Sequence, residues 1–97
     1  MEILDILARE AEISPKVYLY EEKGHWYAYE QSAMLISRML NGIVTIRQFI
    51  HDTYELILKK VEIMDLNQLI NLPIISCSDM ELVITCPDKA ELYINTP

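Results

Sequence analysis

Residues 16–40, KVYLYEEKGHWYAYEQSAMLISRML, change their hydrophobic period once, and that change constrains the fold more than any other feature of the chain. Across Lys16–Glu30, β-branched and aromatic residues dominate, and Tyr18, Tyr20, Tyr27 and Tyr29 alternate with other side chains. Successive side chains of a strand point to opposite faces, so this period of two reads as strand. Two strands are expected, joined around Lys23-Gly24, where Gly24 supplies the positive φ that such turns require. From Glu30 to Leu40 the period becomes helical: Ala33, Ile36, Ser37 and Leu40 share one face, which Leu35 and Met39 widen. Asn41-Gly42 closes that helix as a left-handed cap.

The flanking segments extend the same plan. Ile3, Leu4, Leu7, Ala8 and Ala11 fall at helical spacing, and Pro15 stops that helix by disfavouring helical geometry at Ser14. Residues 43–63, IVTIRQFIHDTYELILKKVEI, admit two readings. As a helix, Thr45 and Gln48 form a capping box. As a hairpin turning at His51-Asp52, Phe49 faces Tyr54 and Ile46 faces Ile57. The density of β-branched residues favours the hairpin. Asp65 caps a short helix that runs to Ile70, and Pro73 ends it. PIISCS, ELVITC and AELYIN are the remaining strand candidates, with Pro87-Asp88-Lys89 as the turn between the last two. The expected fold is α+β, a single domain over residues 1–97, with a small mixed sheet of about five to seven strands packed against two to three helices.

Composition narrows the function classes. No apolar run approaches the ~18 residues of a membrane-spanning helix, so no membrane partner is expected. The N-terminal segment carries Glu2 and Asp5 and no basic leader, which reads as a cytoplasmic rather than a secreted chain. The two cysteines, Cys77 and Cys86, read as small buried hydrophobes. Neither His25 nor His51 lies near a nucleophile in sequence, no zinc-type spacing is present, and Gly24 and Gly42 form no phosphate loop. No catalytic, cofactor-binding or metal-binding residue is expected, and the protein reads as a non-enzyme. Net charge is −7. It is uneven: residues 1–30 carry seven acids against three bases, residues 31–60 two against four, and residues 61–97 six against one. Polyanions attract lysine and arginine, so any nucleic-acid contact falls to the middle third. There Arg38, Arg47, Lys59 and Lys60 otherwise read as the solvated face of a strand pair, and Glu21-Glu22 as an exposed edge.

The aromatic strand is the sharpest functional lead. Tyr27 and Tyr29 share one side, Trp26 and Ala28 the other; one set faces the core, and the other is free to stack on bases or to form a protein interface. Val17–Thr45, VYLYEEKGHWYAYEQSAMLISRMLNGIVT, also resembles the N-terminal mismatch-recognition domain of the MutS family of DNA mismatch-repair proteins. Gly24 matches that family's glycine, Trp26 its wedge phenylalanine and Tyr27 its tyrosine. One residue out of register, Ala33, Ser37, Leu40 and Thr45 match its alanine, serine, leucine and threonine. The resemblance implies a MutS domain I-like fold with Trp26 in the wedge position. Ala28 stands where the family has its base-contacting glutamate, His25 where it has aspartate, and Ser32 where it has the aspartate before the alanine. The family's clamp and ATPase segments are not among the 97 residues. Candidate binding residues are therefore Gly24, His25, Trp26, Tyr27 and Tyr29. The expected function is a non-enzymatic interaction module with a protein partner or self-association; the alternative is a stand-alone nucleic-acid-binding module.

Overall fold

The computed structural model describes residues 2–86. Their order is α1 (Ile3–Glu10), β1 (Lys16–Glu22), β2 (His25–Tyr29), α2 (Glu30–Met39), β3 (Ile46–Ile50), β4 (Ile57–Ile63), a 3-10 helix (Leu66–Leu69), β5 (Ile74–Cys77) and β6 (Glu81–Thr85). The expected AELYIN strand and its Pro87-Asp88-Lys89 turn lie outside the described residues. The strands form one six-stranded sheet in the order β3-β4-β2-β1-β6-β5, with every pairing antiparallel. The α+β class is as expected, but the sheet is antiparallel and not mixed. The α-helical crossover, β2–α2–β3, returns with β4 lodged between its two strands. The parallel pair therefore never touches, as in a split β-α-β unit.

Local chemistry sets the corners. Lys23 (φ 53°) and Gly24 (φ 83°) are both left-handed, the signature of a two-residue type I′ turn whose twist matches its strands. Glu21 accepts a hydrogen bond from the Gly24 N–H at 2.6 Å, so it serves the turn instead of an exposed edge. The end of α2 is a complete Schellman closure: the Asn41 N–H donates to Arg38 O and the Gly42 N–H to Ser37 O, with Asn41 at φ 56°. Asp65 caps its helix as expected, accepting from the Asn67 N–H, though the helix is 3-10 and stops at Leu69. Residues 43–63 adopt the hairpin, with a different register from the one expected: Ile50 faces Ile57, Phe49 faces Leu58 and Ile46 faces Val61. The turn is wide because His51-Asp52 cannot make a two-residue corner. Instead His51 and Leu56 close the loop, and Glu55 takes the left-handed conformation (φ 54°).

Both faces of the sheet are occupied. On one side α2 and the 64–73 crossing cover Val17, Leu19, Ala28, Val61, Ile63, Leu82 and Ile84. On the other, α1 sits on Tyr18, Tyr20, Tyr29, Leu58 and Val83. Helix α1 is rotated from the expected face: Ile3, Ile6 and Glu10 are buried, while Leu4 and Ala8 are exposed. The cause is Glu10, only 3% exposed. Its carboxylate accepts from the Ser32 N–H and the Ser32 hydroxyl, each at 2.6 Å, and Ser32 Oγ accepts in turn from the Tyr18 N–H at 3.0 Å. Helix α2 has no side-chain cap of its own. Glu10 supplies one from another helix, satisfying a first-turn N–H and placing negative charge at the positive helix end. Cys86 is buried as expected, whereas Cys77 is exposed, because β5 is an edge strand with all four residues open to solvent.

Candidate functional site

The β1–β2 turn fixes which way each aromatic points. His25, Tyr27 and Tyr29 share the α1 side of β2, while Trp26 and Ala28 share the α2 side, in the alternation expected from sequence. Tyr29 is 3% exposed. Its hydroxyl donates to the Glu22 carboxylate; burial first, then that carboxylate, hold the phenol well above its ordinary pKa. Tyr20 is raised by burial too, partly offset by Arg9, whose guanidinium lies 3.5 Å from its hydroxyl and 2.8 Å from Glu81. Trp26 is half-buried against the α2-side core, opposite Ile63. Gly24 and His25 are exposed at the turn, and His25 Nδ1 lies 3.0 Å from Glu62. Of the five candidates, Tyr29 borders one cavity, with Glu22 and Ile6, and Tyr27 borders another.

That cavity, about 480 Å³, lies on the sheet where β2, β4 and β3 meet. Tyr27, Phe49 and Lys60 form part of its lining, with Arg47 and Glu62 beside them. The Lys60 ammonium sits 3.9 Å from the Tyr27 ring centre, 5.1 Å from Tyr29 and 5.2 Å from Phe49. Glu22 lies 3.6 Å away. Ring faces carry negative charge, so this cage holds the cation in place. Sequence reading grouped Lys59 and Lys60 as one solvated face. Strand alternation separates them: Lys60 enters the cage, while Lys59 points to the α2 side, 3.6 Å from Met34 Sδ. Adjacent lysines in a strand were the available signal. Arg47, beside Lys60 in register, is exposed.

The second feature is the β3 edge. Ile50 and Ile57 face each other across the β3–β4 pair and are 64% and 68% exposed; Ile46, on the same face, is 39% exposed. Strand β5, the opposite edge among the described residues, is shorter, begins after Pro73 and is bulged between Ile74 and Ser76. Proline, brevity and bulges are the usual protections of an edge against pairing. Strand β3 has neither proline nor bulge: its five residues pair with β4 in unbroken register. No helix among the described residues is long and apolar enough to cross a membrane, and none of their His, Cys, Asp and Glu side chains form a group of three or more suited to a metal. No family model matches this sequence, and no curated protein or solved structure matches it.

Proposed function

We propose that the protein is a non-enzymatic interaction module that docks through strand β3, with a second copy of the chain as the partner this edge fits. The observation that carries this reading is that, among the described residues, nothing pairs with the outer edge of β3, which is bordered by exposed Ile46, Ile50 and Ile57. Open edges offer unpaired N–H and C=O groups to an incoming strand. The sequence of β3, IRQFI, suits self-pairing. An antiparallel pair centred on Gln48 sets Ile46 against Ile50 of the second copy on one face and Arg47 against its Phe49 on the other. Such a contact is isologous and closes as a dimer with no free β3 edge left. The alternative, a nucleic-acid module built on a MutS domain I-like fold, has weaker support. Trp26 packs against the core, and the chain carries −7 overall.

Sedimentation velocity across a wide concentration range tests the proposal. Reversible dimers are expected, and Ile50→Lys is expected to weaken them by about tenfold or more, or roughly 1.4 kcal/mol. Ile75→Lys on β5 is the matched control and should leave association unchanged. A strict monomer at every concentration, or equal effects of the two substitutions, would overturn it.

A further inference from the structure

The cavity over Tyr27 lies on the α1-side face of the sheet, opposite the isoleucines of the β3 edge, although Arg47 and Phe49 belong both to its lining and to the proposed strand pair. Three features of its wall point to a ligand. The first is charge. Lys60 and Arg47 contribute two cations and Glu62 one anion. Glu62 is held by His25 at 3.0 Å, and Lys60 is held by its ring cage. The lining is thus positive by one charge in a protein that is otherwise acidic, with Glu22, outside the lining, 3.6 Å from Lys60 and leaving Arg47 as the cation open to a ligand. One fixed carboxylate beside two cations suits a single negative charge and leaves a second one without a cation to pair with, over apolar surface that disfavours it. The second is a polar group without a partner. Gln68 lines the cavity, and its Oε1 is a buried atom with no hydrogen-bond partner among the described residues, a state that costs free energy unless something pairs with it. The third is apolar surface. Ile43 and Met64, both exposed, border the cavity beside Phe49.

We infer that this cavity binds a small amphipathic organic monoanion. Its carboxylate lies between Arg47 and Lys60, its apolar body lies over Phe49, Ile43 and Met64, and the Gln68 amide bonds a polar atom of the ligand. A cavity of this volume falls within the range of small-molecule sites, which are largely apolar with a few placed polar groups.

The test uses 2-naphthoate, its neutral isostere 2-naphthamide and the dianion naphthalene-2,6-dicarboxylate, titrated into the isotopically labelled full chain while backbone amide shifts are followed. Saturable shifts at Tyr27, Arg47, Phe49 and Gln68 are expected with 2-naphthoate. Both other compounds should bind at least about fivefold more weakly. Arg47→Gln, at an exposed position where folding is not at risk, should erase the preference of naphthoate over naphthamide. Equal binding of acid and amide would overturn the inference, as would tighter binding of the dianion. Shifts confined to Ile46, Ile50 and Ile57 would overturn it too, because they would assign binding to the edge patch. Dimer formation without naphthoate binding would defeat this inference alone, and naphthoate binding by a strict monomer would defeat the docking proposal alone.

Discussion

Glu10 shows how far a single side chain can redirect a helix. Hydrophobic spacing alone turns Leu4 and Ala8 of α1 inward, yet the carboxylate bonds to Ser32 outweigh one leucine's burial and turn Glu10 inward instead. Removing one partner of a buried charged pair of hydrogen bonds costs about 1–3 kcal/mol or more. Glu10→Ala should therefore lower unfolding free energy by roughly 2–4 kcal/mol in urea titration, with Glu10→Gln retaining part of it. A loss under about 0.5 kcal/mol for Glu10→Ala would show that the cap contributes little. Nothing in the sequence announces this contact, since the partners are 22 positions apart. The buried phenols make a second residue-scale prediction. Tyr20 and Tyr29 have pKa values raised by burial, and a phenol is neutral when protonated. Below about pH 10 both folded and unfolded chains keep these protons and full stability is present. Above it the unfolded chain releases them first. Stability then falls with rising pH, by ~1.4 kcal/mol per unit for each phenol, until the folded pKa is passed. Phenolate absorbance should show these two tyrosines ionising only with alkaline unfolding, and Tyr29→Phe should reduce the slope of stability against pH.

Elements were legible where local chemistry dictates them. Alternation over Lys16–Tyr29, the left-handed Lys23-Gly24 corner and the Asn41-Gly42 closure are all properties of a few adjacent residues, and each stands in the structure as the sequence implies. Gly24→Ala tests the corner. A side chain at φ 83° is strained even with open space around it, so about 1–2 kcal/mol of stability should be lost in thermal unfolding. Register over β3–β4 was less legible, because it depends on a wide loop that no short turn motif marks. The same limit hid the Lys60 cage. Its rings come from β2 and β3 and its carboxylate from β1, so only the assembled sheet brings them to one ammonium.

At the scale of the whole molecule, one sheet is covered by α1 on one face and by α2 and the 64–73 crossing on the other, and its charge is segregated. The middle third supplies the cations of the cavity, and acids dominate elsewhere. The candidate site was partly legible: Tyr27 was singled out, whereas Arg47 and Lys60 became meaningful only through strand pairing. The two edges differ in kind, β5 short and bulged, β3 regular and bordered by isoleucines. Hydrogen exchange at the backbone amides of residues 46–50, followed as protein concentration is raised, examines that difference most directly. Protection at β3 should rise several-fold with concentration while β5 stays unchanged, as expected when outward-facing amides gain partners. Exchange at β3 that is independent of concentration, or an equal gain at β5, would contradict docking through β3.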